Sequence, residues 1–212
     1  MLWVINPKPS DEFGDLSPVS DACAADLANL REVGDRVIDG TRAEVTTPLP
    51  PAVRLADGEA IYVLAHAGFA ARGGWVGGMY FKDFATQFAA KFGQRLNGRI
   101  VYFLVCYVGQ DIAALGQALA DAVPEKFKFT IFAPVNLMFV STTGAPRVFS
   151  GEIARDKADD IVEKAGGDAS RVRAGVLQAP GNGWAGARID SSTAVAMKDA
   201  DVTAAIVRRF GS

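Results

Sequence analysis

Ile61-Tyr62-Val63-Leu64-Ala65-His66-Ala67-Gly68 and Ile100-Val101-Tyr102-Phe103-Leu104-Val105-Cys106 decide the reading of this chain. Each is a short apolar run rich in β-branched and aromatic residues, which predicts a buried strand. Each ends in a residue with reactive chemistry: His66, the only histidine, and Cys106, forty positions later. Between them lie a Gly-rich stretch and a segment, Tyr80 to Phe92, in which Phe81, Phe84, Phe88 and Phe92 recur at spacings of three and four. That periodicity predicts a helix, with Gly93 as its C-cap. Strand, helix, strand is the unit of a parallel sheet, and ligands bind such sheets at the carboxyl ends of their strands. An imidazole and a thiol brought to that edge form the pair that a cysteine nucleophile requires.

Working outward, Leu2 to Ile5 predicts a first strand, and Ser20 caps an expected helix carrying Leu27, Leu30 and Val33. Thr46 to Pro51 is a stiff connector within one domain, because the segment before it is too short to bury a core of its own. After Cys106, Asp111 caps a predicted helix with Ile112, Leu115 and Leu119 that stops before Pro124. Phe129 to Ala133 predicts a buried strand, and Leu137 to Ser141 with Arg147 to Ser150 a hairpin around Thr143-Gly144. Asp156 to Lys164 is expected to be helical, Val172 to Gln178 strand-like, Pro180 to Gly186 a loop, and Thr193 to Phe210 a final helix. The whole of 1–212 is therefore expected to be a single α/β domain, its mostly parallel sheet covered by helices on both faces.

Composition narrows the function. Lys and Arg total 22 against 24 Asp and Glu, with no basic run, so a nucleic-acid partner is not expected. No apolar stretch is long enough to span a membrane, and the N-terminus lacks the charged start of a signal peptide, so the expected location is cytoplasmic, or secreted without an N-terminal signal. Two cysteines and one histidine cannot make a Cys/His zinc site, and neither metal nor organic cofactor is expected. Gly73-Gly74-Trp75-Val76-Gly77-Gly78 fits neither of the phosphate-binding glycine patterns. It reads instead as a flexible loop beside His66, with Trp75 on the wall of a substrate cleft.

Cys106 also has a plainer reading, as filler of an apolar core, since free cysteine is among the most buried residue types. His66 can likewise be a satisfied histidine at a strand end. The pairing of the two at one edge favours chemistry. Near neutrality the thiol needs a base or a nearby cation to become a nucleophile, and the developing oxyanion needs backbone N–H donors, for which the positions near Gly68 and Cys106 are candidates.

His-Ala-Gly after one apolar strand and Leu-Val-Cys-Tyr-Val-Gly after the next resemble the two sequence blocks of the caspase-like cysteine peptidases, a group that includes caspases, gingipains and the self-cleaving domains of large bacterial toxins. The resemblance runs through about the middle 90 residues, to Ser150. It implies a caspase-like three-layer sandwich, a polypeptide substrate, and a Cys106–His66 dyad in which Gly68 and Cys106 N–H groups bind the oxyanion. Tyr107 stands beside the nucleophile; Trp184, in its late Gly-rich loop, has surface loop as its plain reading, and the resemblance implies instead that it lines a specificity pocket. The chain departs from the family in placing Ala67 between His66 and Gly68, and in having the bulky Tyr107 after the cysteine. Those departures motivate a second expectation, a catalytically silent caspase-like module that binds a partner protein.

Overall fold

The His66 and Cys106 runs form neighbouring parallel strands. In the computed structural model, which describes residues 1–6, 26, 29–30, 37–41, 49, 54–124, 126–190 and 192–211, they are β3 (Ile61–Ala65) and β7 (Ile100–Leu104). They pair in register from Ile61 with Val101 to Leu64 with Leu104. On one side β3 pairs in parallel with β1 (Leu2–Asn6), which pairs with β2 (Val37–Thr41). On the other, β7 pairs in parallel with β8 (Lys128–Pro134). Beyond β8 lie two antiparallel strands, β11 (Trp184–Asp190) and β12 (Thr193–Ala196), so that among the described residues the sheet has seven strands in the order β12-β11-β8-β7-β3-β1-β2. The fold is thus α/β with a mixed, mostly parallel sheet.

Side chains alternate across a strand, so each strand feeds two cores. Odd-numbered residues, among them Trp3, Val63, Phe103 and Ile131, pack against α1 (Phe81–Phe92) and α2 (Ile112–Ala122). The α1 stripe meets them ring on ring: Phe88 lies 4.8 Å from Phe92 and 6.0 Å from Trp3, and Phe84 lies 5.7 Å from Phe103, centroid to centroid. Even-numbered residues, Tyr62, Leu64, Tyr102, Leu104 and Phe132, face α3 (Arg155–Lys164) and α4 (Asp199–Phe210). There Tyr62 stacks on Tyr102, and Tyr102 on Phe132, each at 5.4 Å.

The predicted helix stop and cap hold in detail. Asp111 accepts a hydrogen bond from the Ala114 N–H at 3.3 Å, and α2 ends at extended Val123 before Pro124. The hairpin forms as β9 (Met138–Val140) and β10 (Pro146–Val148).

Three expectations are corrected. The stretch after His66 is no loose loop: it is a three-stranded meander, β4 (Ala67–Ala70), β5 (Gly73–Val76) and β6 (Met79–Tyr80). Its glycines make the tight turns, with Gly77 and Gly78 at φ of 58° and 74°. Val172 to Gln178 forms no strand, only an isolated bridge from Leu177 to Phe149, because the chain turns at Gly175 with φ 84°. Thr193 to Phe210 is not one helix; its first four residues are β12, with Val195 62% exposed, and α4 begins after Lys198. The expected helix from Ser20 lies largely outside the described residues, as does Cys23, although Asp26 and Asn29 are helical.

The turn after Cys106 is held tightly to the sheet. A Cβ on Gly109 would stand 2.6 Å from the Ala133 carbonyl oxygen, so this glycine permits backbone to lie on backbone. Gly109→Ala is expected to lower stability by about 1–3 kcal/mol through overpacking. Phe88→Ala, which empties the middle of the α1 stripe, is expected to cost about 3–5 kcal/mol. Urea unfolding midpoints for both variants check these values, and an unchanged midpoint for Phe88→Ala would contradict the packing described.

Candidate functional site

Each of His66 and Cys106 follows by two positions the matched pair Leu64 and Leu104, at the carboxyl ends of adjacent parallel strands. Cys106 belongs to the core on the α3 side of the sheet, and Arg155, the first residue of α3, reaches the imidazole from that side. The two reactive residues therefore lie at one edge, and both face the same guanidinium.

Arg155 Nη2 lies 3.2 Å from His66 Nδ1. A guanidinium only donates, so Nδ1 accepts and the imidazole proton sits on Nε2. His66 is buried, and burial together with the Arg155 charge pulls its pKa down to about 3. The Cys106 thiol donates to the Met138 carbonyl at 3.9 Å, and the Arg155 guanidinium is near enough for its charge to act on the sulfur. Enclosure of the sulfur pushes its pKa up, while Met138 and Arg155 act in the opposite sense and Asp26 adds to the rise. The residue keeps 8% of its surface exposed. Its immediate surroundings are thus a carbonyl and a cation as well as hydrocarbon.

Asp26 completes the group. Its Oδ1 accepts from the Val140 N–H at 2.7 Å, tying it to β9. The residue as a whole is half-buried but its carboxyl is enclosed, and that enclosure raises its pKa to about 7. Tyr107, at φ 65°, holds a left-handed backbone conformation uncommon outside glycine, at the turn where β7 gives way to the short 3-10 segment Val108–Asp111. Its N–H donates to the Asn136 carbonyl at 3.3 Å and the Val108 N–H to the Cys106 carbonyl at 2.9 Å.

Above this edge opens a cleft of about 510 Å³ lined by Ala67, Gly68, Phe69, Tyr107, Gln110, Glu152, Ile153 and Ala154. Neither His66 nor Cys106 lines it; Ala67 and Tyr107, which follow them, and Ala154, which precedes Arg155, do. Gly68 and Tyr107, expected at the site, line it. Trp75 and Trp184, expected there too, do not. Trp75 is buried against Ala70 and Tyr80, and its indole covers Gly68, where a Cβ would sit 3.1 Å from Cζ2. Gly68 thus has a packing reason to be glycine. Trp184 is the first residue of β11, opposite Pro134, stacked on Phe210 at 6.2 Å. It belongs to the sheet because the Gly-rich loop ends one residue before it.

Sequence reading did not find Arg155 or Asp26. Neither sits in a motif; Arg155 opens a polar helix, and only the packing of α3 on the sheet carries it to the strand ends.

No protein-family model, curated protein or solved structure matches this chain. Among the described residues there is no group of three or more His, Cys, Asp and Glu placed to hold a metal, and no helix long and apolar enough to cross a membrane.

Two enclosed groups with opposite preferences set the pH response. His66 is neutral in the folded protein but takes a proton on unfolding below pH 6.5, so its contribution to stability grows as pH rises from about 3 to 6.5. Asp26 keeps its proton in the folded protein up to about pH 7 but ionises on unfolding above 3.8, so its contribution shrinks as pH rises across that window. From about pH 4 to 6.5 the two slopes oppose each other, each at most about 1.4 kcal/mol per pH unit. Asp26→Asn removes one of them. Its stability is expected to climb with pH across that range by up to about 1.4 kcal/mol per unit, where the wild type is nearly flat. Denaturant unfolding at a series of pH values checks this; parallel profiles for the two proteins would contradict the burial of one group or the other.

Proposed function

We propose that this chain is a cysteine peptidase of caspase-like, three-layer architecture that cleaves a peptide bond in its own polypeptide or in a partner, with Cys106 as nucleophile and His66 as proton carrier. The observation that carries the reading is the placement of imidazole and thiol at equivalent positions past Leu64 and Leu104, each followed by a residue, Ala67 or Tyr107, that lines a cleft of about 510 Å³. The resemblance of His-Ala-Gly and Leu-Val-Cys-Tyr-Val-Gly to the family's two blocks supports the same assignment.

In this reading the Cys106 thiolate attacks the scissile carbonyl carbon, and the C–N bond breaks as the amine leaves with a proton. A water then attacks the thioester, releasing the acid and restoring the thiol. His66 moves the proton at both stages, and it does so once its Nδ1 is released from Arg155, because that bond occupies the lone pair a base needs. The described arrangement is accordingly a resting one.

The enclosed sulfur, the weakly basic imidazole and the Trp75 ring over Gly68 favour a second reading, a silent module of the same architecture whose cleft holds a partner segment. One experiment separates the two. The wild type is incubated with a diverse peptide library and the products are sequenced by mass spectrometry, alongside Cys106→Ala and His66→Ala variants shown by circular dichroism to be folded. The peptidase reading expects cleavage by the wild type and a loss of about a thousandfold or more in each variant. Equal cleavage in all three would trace the activity elsewhere, and no cleavage with a tight-binding peptide recovered from the cleft would establish the silent module.

A further inference from the structure

We infer that Arg155 is a positioning residue that stabilises the Cys106 thiolate, so that the guanidinium, rather than a protonated imidazole, sets how readily the sulfur becomes a nucleophile. The inference rests on the reading of Cys106 as nucleophile. Its basis is that one side chain serves both partners. Arg155 hydrogen-bonds His66 Nδ1 at 3.2 Å from the first turn of a helix whose Ala158 is buried in the same core as Cys106, and its charge acts on the sulfur from there.

Charge balance gives the reason. A thiolate in an enclosed site is costly unless a cation or strong donors face it. His66 is a poor source of that cation, since a proton on Nδ1 would stand against a guanidinium already bonded to that atom. Arg155 is always charged and has five N–H donors, enough to hold the imidazole and still address the sulfur. The other ionisable groups around this point are Asp26, whose carboxyl is enclosed, Tyr107 beside the sulfur, and Glu152 and Asp159, both exposed. The exposed pair is screened by water, Tyr107 is raised above its usual value and stays neutral near pH 7, and Asp26, raised to about 7, is about half ionised there and shares the Arg155 charge. The positive charge of Arg155 therefore acts on the sulfur and the imidazole, and on Asp26 as that carboxyl ionises above about pH 7.

The test uses a Cys23→Ser background, in which Cys106 is the only thiol of the chain. Alkylation by iodoacetamide, in which the S–C bond forms as iodide leaves and the thiol proton passes to buffer, is followed from pH 6 to 10 in wild type, Arg155→Met and Arg155→Lys. The methionine keeps the bulk and removes the charge, whereas the lysine keeps the charge. Arg155→Met is expected to slow alkylation about tenfold or more at each pH below the midpoint and to move the midpoint upward, with Arg155→Lys recovering part of the loss. His66, as the single histidine, gives an unambiguous NMR titration, and its pKa is expected to rise in Arg155→Met as the neighbouring charge is lost. A purely structural role for Arg155 would not move both groups in the same sense or be rescued by lysine.

Alkylation of Arg155→Met as fast as wild type or faster would overturn the proposal and make Arg155 a plug over the sulfur. So would a lysine variant no better than the methionine one, or a folded wild type that resists alkylation at every pH. If Arg155→Met does not fold, Arg155→Gln takes its place with the same expected direction. Absence of peptide cleavage with the Arg155 effect intact would remove the peptidase reading and leave this one standing.

Discussion

The parallel pairing of β3 with β7, in register from Ile61 and Val101 to Leu64 and Leu104, is the constraint on which the site depends. A shift of one residue would turn Cys106 to the opposite face of the sheet, towards Phe84 and Phe88, and leave His66 without a counterpart. The register is secured from both sides. Val63 and Phe103 belong to the α1 core, while Tyr62 and Tyr102 stack within the α4 core, so neither strand can slip without exposing aromatic surface. Gly109 then pins the turn after Cys106 onto the end of β8. The positions of the imidazole and the thiol are therefore consequences of core packing.

Burial governs the chemistry of the edge. It raises the thiol and the Asp26 carboxyl and lowers the imidazole, so that in each case the neutral form is preferred. Arg155 is the permanent charge among them. Its energy in such a place depends on donors being used, and one of them is used on His66 while its charge acts on Cys106. Clusters of this kind, where desolvation and a specific charge act together beside a cleft, are where functional groups concentrate. The same cation that quiets the imidazole is placed to favour the thiolate.

Much of the fold is legible along the chain because the responsible forces are local or periodic. The Phe81, Phe84, Phe88, Phe92 stripe declares α1, Asp111 declares the start of α2 and Pro124 its end, and the apolar runs declare β3, β7 and β8. The glycines after His66 mislead, since glycine composition suggests looseness while Gly73, Gly77 and Gly78 make the turns of a meander that Phe69, Trp75 and Val76 stabilise. Thr193 to Ala196 misleads for the converse reason. Its composition suits a helix, and only the waiting edge of β11 makes it a strand.

By itself the amino-acid sequence determined that two apolar strands end in a histidine and a cysteine and that a helix separates them, because strand and helix periodicity and chain connectivity are written residue by residue. Tertiary structure alone decided which charges surround those two residues. Arg155 and Asp26 lie 49 positions after and 80 positions before Cys106 in the chain, and they join it only because α3, β9 and the strand ends pack together. Burial is a property of that packing, so the protonation states, and with them the reactivity of the edge, arise from contacts between distant segments that no local pattern encodes.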